Sequence, residues 1–148
     1  MKFQGADELT VDAKGRMSIP AWRREALINA SAGLLVATAH PHGCLLLYPA
    51  PAWEPIRDQV LAASSLNPQA AAIKRLLVGY ACEETMDSAG RFMIAPELRK
   101  FAQLEKTIFL VGQGSHFEIW SEELWAAQQK VFASLGDALP AGLESLAL

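Results

Sequence analysis

Polar and apolar positions along this chain alternate in short bursts, and the bursts come in two matching sets. Glu8–Val11 alternates strictly, breaks at Asp12–Gly15, and resumes over Arg16–Ile19 before stopping at Pro20. Two-residue alternation predicts half-buried strands, here joined by a tight turn. A short helix is predicted from Ala21 to about Ala30, with Gly33 as its stop. The runs Leu34–Ala39 and Cys44–Tyr48 flank the turn "HPHG" and predict two further strands. The second set repeats the order: strands at Glu84–Met86 and Arg91–Ala95, a helix from Pro96 to about Ala102, then strands at Thr107–Gly112 and His116–Trp120. Pro20 and Pro96 stand near the first helical position, where a missing N–H costs nothing.

Elsewhere the period changes to that of a helix. Trp53, Ile56 and Val60 form one stripe, and Leu124, Trp125, Gln128, Val131, Phe132 and Leu135 form another. Between the copies, "SSLNPQAAAIKRLLVGY" predicts a helix capped by Asn67 ahead of Pro68, with Ile73, Leu76, Leu77 and Tyr80 on one face. The tail after Gly136 has no clear period and is expected to be loosely held.

The two sets are an internal duplication. At an offset of 75, Thr10, Asp12, Gly15, Arg16, Ile19, Arg24, Leu35 and Val36 meet Thr85, Asp87, Gly90, Arg91, Ile94, Arg99, Leu110 and Val111. A turn three residues shorter in the second copy then changes the offset to 72, matching Tyr48 to Trp120 and Trp53 to Trp125. The chain divides accordingly into repeat one (6–52), connecting helices (53–80), repeat two (81–124) and a C-terminal helix with tail (125–148).

Each copy carries Asp-x-x-Gly-Arg where its first two strands meet. An Asp ending a strand can accept hydrogen bonds from backbone N–H groups two and three residues on, closing an Asx-type turn. Gly15 and Gly90 supply the positive φ that a tight hairpin needs. Asp12, Gly15, Asp87 and Gly90 are therefore read as turn-structural, whereas Lys14, Arg16 and Arg91 are available for contact. A guanidinium presents a planar donor fork that matches phosphate oxygens and the O6/N7 edge of guanine. Lys14 has Ala89 as its counterpart, so the first copy is expected to dominate such contacts.

Charge modifies this picture. The net charge of −3 by itself argues against a nucleic-acid partner. Its distribution does not: Met1–Arg24 carries five basic residues against three acidic, while Glu118 to the C-terminus carries five acidic residues against Lys130 alone. Such a gradient suits one binding face and one repelled face. No apolar run reaches the ~20 residues of a membrane span, and no signal-peptide core opens the chain, so a cytoplasmic protein is expected. Cys44 and Cys82 lie far apart without a Cys-x-x-Cys motif and read as ordinary thiols.

Catalytic chemistry finds little support. Duplicated aspartates could form a shared-proton dyad, but an Arg four residues after each Asp would lower its pKa rather than retain a proton. His40-Pro-His42 lacks a nearby carboxylate or thiol and reads as a turn, and "GQGS" lacks the Lys-Ser/Thr of a phosphate loop. No catalytic residue, metal, cofactor or small-molecule substrate is expected.

The stretches "FQGADELTVDAKGRMSIP", "HGCLLLYP", "WEPIRDQV", "SSLNPQAAAIKRLLVGYA", "MDSAGRFMIAPELRKFA" and "VGQGSHFEIW" together resemble the MraZ family, bacterial regulators with two SpoVT-AbrB-type domains per chain. The resemblance runs from about Phe3 to Trp125. It implies an α+β, β-rich fold: a pseudo-twofold, swapped-hairpin β-barrel with flanking helices, assembled into rings. It also implies binding to short direct repeats upstream of the protein's own division and cell-wall operon, usually to repress it at the nucleoid. The family's DNA-contacting motif falls on Lys14, Arg16 and Arg91, whereas Gln4, Trp22 and Ala89 depart from common choices. The alternative is an oligomeric protein-interaction scaffold with vestigial DNA contact.

Overall fold

A computed structural model describes residues 2–136 and 138–148; Met1 and Asp137, the latter part of the acidic C-terminal charge, lie outside the described residues. The first copy comprises β1 (Ala6–Thr10), β2 (Arg16–Ser18), α1 (Ala21–Ser31), β3 (Leu34–Ala39) and β4 (Leu45–Pro49). Helices α2 (Ala50–Ala62) and α3 (Pro68–Leu77) follow. The second copy comprises β5 (Cys82–Thr85), β6 (Arg91–Met93), α4 (Pro96–Phe101), β7 (Thr107–Gly112) and β8 (Phe117–Ser121), and α5 (Glu122–Ala133) closes the series. The Asn67 cap is made as expected, its Oδ1 accepting from the N–H groups of Gln69 and Ala70 at 2.9 and 3.2 Å.

The fold is α+β and strand-rich. Six strands form an antiparallel sheet in the order β1-β7-β8-β4-β3-β5, and β2 pairs with β6 in a separate ribbon. Pairing crosses between the copies: β1 of the first lies on β7 of the second, and β5 of the second lies on β3 of the first. The hydrogen-bonded ladder does not close into the barrel that the family resemblance implies. β1 and β5 remain its two edges among the described residues, because the chain leaves the sheet after Thr10 and Thr85 to enter the Asp turns. The ribbon packs beside both edges.

Pairing also corrects the alignment of the copies. Val11 and Met86 make equivalent backbone bonds, to Lys106 and Gly33, so the offset is 75 on one side of the bond and 73 on the other. Leu35 pairs with Pro49 as Ile108 pairs with Ser121, so the counterpart of Leu35 is Ile108 and the Leu35/Leu110 and Val36/Val111 identities are coincidental. Two of the three missing residues are lost where α4 is shorter than α1, and only one in the following turn. The Tyr48/Trp120 and Trp53/Trp125 matches stand.

The main core lies between sheet and ribbon. Met17, Ile19, Leu27, Leu35, Leu47, Phe92, Ile94, Leu98, Leu110, Phe117 and Ile119 are all buried in it. Fully burying each such side chain contributes roughly 1.5–3 kcal/mol relative to exposure. A second cluster gathers Val36, Tyr48 and Trp53 beneath α2, so the α2 stripe covers its own sheet. On α5, Trp125 packs against Phe109 and Trp120, while Val131 and Phe132 stay exposed, as does Leu135 beyond the end of the helix. The described part of the tail forms turns and no helix or strand.

Candidate nucleic-acid interface

Both Asp turns fold by the same set of bonds. Asp12 Oδ1 accepts from the backbone N–H groups of Lys14 and Arg16, each at 2.9 Å, and Asp12 Oδ2 accepts from Arg16 Nε at 2.9 Å. In the second copy Asp87 Oδ1 accepts from the N–H groups of Ala89 and Arg91 at 2.9 Å, and Oδ2 from Arg91 Nε at 3.1 Å. The acceptors therefore serve the second and fourth residues after Asp, not the second and third, because the turn is closed by Arg returning onto the strand end. The Arg16 N–H bond is the main cause holding the Asp12 carboxyl below the usual carboxylate range, and the Arg91 N–H does the same for Asp87. Gly15 and Gly90 have φ of +85° and +76°, as the turn requires.

Register then brings the arginines together. Arg16 pairs with Met93, Met17 with Phe92, and Ser18 with Arg91. Alternation buries Met17 and Phe92 and leaves Arg16, Ser18, Arg91 and Met93 on the outer face. Arg16 and Arg91 are diagonal neighbours on that face, a relation that spans roughly 7–8 Å in a ladder. Their side chains are 43% and 54% exposed. Nε of each is occupied by its Asp, while the terminal amino groups find no partner among the described residues. Each carboxylate therefore aims its guanidinium without using the outer fork.

A shallow groove of about 390 Å³ runs beside this face, lined by Glu8, Thr10, Asp12, Arg16, Ser18 and Arg91 among others. Lys14 is exposed at the tip of the first turn, where the second has Ala89. Asp12 against Lys14 and Arg16 leaves one net positive charge on the first turn, whereas Asp87 against Arg91 leaves none on the second. Arg16 and Arg91 thus share the outer face of the ribbon, Lys14 lies in the turn beyond its Arg16 end, and the cationic surplus belongs to the first copy.

The other candidates lie in other turns. His40 and His42 sit in the β3–β4 turn, with His42 N–H donating to His40 Nδ1 at 3.0 Å, and "GQGS" lies in the β7–β8 hairpin. Cys44 is buried, and burial pushes its thiol up to about 12. Among the described residues no group of three or more His, Cys, Asp or Glu is placed to hold a metal ion. Among the described residues, no helix is long and apolar enough to cross a membrane.

Sequence reasoning missed three arginines. Arg23 is buried, 2.5 Å from Asp7 through Nε, and packs over the rings of Trp22 and Phe117. No spacing rule links residues 16 apart, and the second copy has Cys82 and Leu98 at these positions, so the repeat offers no hint. Arg24 and Arg99 did carry a signal, since they match across the duplication, but only the fold shows what they touch.

The duplication is also present in comparisons with known proteins. The model of the family described as MraZ protein matches twice, over residues 2–76 and 77–140, and so spans nearly the whole chain. The chain belongs to the MraZ family. It is 61% identical over 147 residues to the "Transcriptional regulator MraZ" of Dechloromonas aromatica (strain RCB), covering 99% of each chain. Proteins of the same name from Aromatoleum aromaticum and Methylobacillus flagellatus are 58% and 54% identical, again over 99% of each chain. With MraZ relatives matched end to end, the two Asp turns and their ribbon are to be understood within a two-repeat MraZ architecture.

Proposed function

We propose that this chain is a non-catalytic, sequence-specific DNA-binding regulator of transcription, acting at the nucleoid in the cytoplasm. It represses its own operon, the division and cell-wall gene cluster, by binding short direct repeats as a ring oligomer. The observation that carries this reading is the ribbon face, where two arginines stand exposed with their outer donor forks open and only Nε of each held by the carboxylate of its own turn. A two-stranded ribbon fits the major groove of a duplex, and guanidinium forks can meet phosphates and guanine edges there. The printed name of the full-length relatives supports regulation of transcription.

Lys14, Arg16 and Arg91 are the contact residues, with Asp12, Gly15, Asp87 and Gly90 shaping the turns. Repeats 6–52 and 81–124 together build a swapped-hairpin barrel, in which the ribbon completes what the six-stranded sheet leaves open; the helix faces around Trp53 and Trp125, in segments 53–80 and 125–148, cover it. One turn with a single surplus charge binds weakly. Repetition of that turn around an oligomer, against repeated DNA boxes, raises affinity through effective concentration.

The test is fluorescence anisotropy with the DNA immediately upstream of the gene, at several salt concentrations. Binding should weaken by about 0.9 log unit in K per log unit of salt for each phosphate neutralised. Arg16→Ala should remove operator binding while the protein keeps its oligomeric state by light scattering. Unchanged affinity in Arg16→Ala would refute the assignment, and absence of any specific binding by the wild-type protein would favour the scaffold alternative.

A further inference from the structure

Arg24 of α1 and Arg99 of α4 occupy equivalent places in the two copies, yet each reaches the turn of the other copy. Arg99 donates from Nε to the carbonyl of Ile94 at 3.0 Å. The Ile94 N–H donates in turn to the carbonyl of Gly15, in the first turn, at 2.8 Å. The circuit closes because the Arg99 guanidinium occupies the volume a side chain on Gly15 would need: a Cβ built there would lie 2.5 Å from Arg99 Nε and 2.9 Å from Nη1.

The reciprocal circuit has the same parts. Arg24 Nε donates to the carbonyl of Ile19 at 2.8 Å, and the Ile19 N–H donates to the carbonyl of Gly90 at 2.8 Å. The Arg24 side chain in turn fills the Cβ position of Gly90, with its Cδ 2.9 Å from that point. Ile19 and Ile94 are fully buried, so each chain of bonds is anchored in the core rather than at the surface. The glycines thus serve two needs, a positive φ and a bare Cα on which a flat guanidinium can rest.

We infer that Arg24 and Arg99 are crossed positioning residues: each sets the conformation of the contact turn belonging to the opposite repeat. Arg99 therefore governs the turn that carries Lys14 and Arg16, and Arg24 governs the turn that carries Arg91. The local consequence needs no ligand. The functional consequence rests on the DNA-binding reading, and it runs against position in the chain. Because the first turn holds the surplus charge, the second-copy residue Arg99 matters more for DNA than the first-copy residue Arg24.

Hydrogen exchange followed by mass spectrometry on the full-length protein, without DNA, tests the local half. Arg99→Ala should speed exchange in peptides spanning residues 13–16 and leave residues 88–91 unchanged; Arg24→Ala should do the reverse. Loosening of the turn in the same copy as the mutation, or of neither turn, would overturn the crossed assignment. Arg99→Lys and Arg24→Lys keep a cation and a donor for the isoleucine carbonyl but lose the planar group. They carry the test if an alanine variant does not fold, and exchange should still rise at the opposite turn. Anisotropy on operator DNA tests the second half: Arg99→Ala should weaken binding about tenfold, a loss of about 1.4 kcal/mol, and more than Arg24→Ala does. Equal or reversed losses, with Arg16→Ala still damaging, would overturn the role in DNA contact. If Arg16→Ala also changes nothing, the DNA reading fails while the exchange result still decides the crossed positioning of the turns.

Discussion

Met17 and Phe92 stand opposite each other at the centre of the β2–β6 ribbon, both buried, and they are equivalent residues of the two copies. A duplicated strand paired with its own copy through equivalent residues must present the next residues symmetrically. That is why Arg16 and Arg91 emerge on one face. Phe92→Ala should therefore destabilise the protein by about 3–5 kcal/mol, a large-to-small change in a packed core. Ser18→Ala on the exposed face should stay within about 0.5 kcal/mol. Urea unfolding at fixed protein concentration measures both, and a Phe92→Ala loss below about 1 kcal/mol would show that this pair does not anchor the ribbon.

Asp12 gives a prediction opposite to simple charge counting. On the DNA-binding face proposed above, removing a carboxylate would ordinarily strengthen binding. Here Asp12→Ala frees the Lys14 and Arg16 N–H groups and releases the guanidinium, so affinity for DNA should fall several-fold, with Asp12→Asn between the two. Anisotropy at constant salt checks the order.

The same carboxylates make a pH statement. Their folded pKa values lie below the ordinary one, so their stabilising contribution is present at neutral pH. It is lost as pH falls below the ordinary carboxylate value of about 3.9 and through the folded values. In Asp12→Ala the acid limb of the melting temperature should accordingly become shallower.

In the Arg23–Asp7 pair, unlike the turn pairs, the guanidinium is buried and the carboxylate mostly so. Removing one partner leaves a charge without compensation, so Asp7→Ala should cost roughly 3–5 kcal/mol. The second copy fills the same two places with Cys82 and Leu98, an apolar solution in the same fold. The double variant Asp7→Ala/Arg23→Leu should accordingly be more stable than Asp7→Ala alone. Thermal melts of both, plus Arg23→Leu, complete the cycle, and simple additivity would show that the pair is not coupled.

His40 and His116 are half-buried, and burial lowers both pKa values; His42 adds to the effect on His40, His40 adds to that on His116, and Glu118 opposes both. Above the ordinary histidine value of about 6.5 they contribute no pH dependence. Below it the unfolded chain takes up protons that the folded chain resists, so stability should fall with acid until the folded values are passed. His116→Phe, which keeps a ring to stack on Tyr48, should flatten that slope in calorimetric melts between about pH 7.5 and about 5.5.

Local rules determined a large share of this protein. Alternation placed the strands to within one or two residues, with Leu34–Ala39 and Thr107–Gly112 bounded as expected, and Asn67 before Pro68 placed a real cap. The duplicated Asp-x-x-Gly-Arg located both turns, because an Asx turn is made from residues adjacent in the chain.

Tertiary structure alone decided which strand lies on which. Side-chain period says that a strand has a buried face but not whose strand covers it, so the β1–β7 and β5–β3 exchange and the true 75-73-72 offsets emerged only from pairing. The same holds for the buried Arg23–Asp7 pair and for the crossed reach of Arg24 and Arg99. Each joins residues far apart in the chain, and their meeting depends on packing two copies together, which no local spacing records.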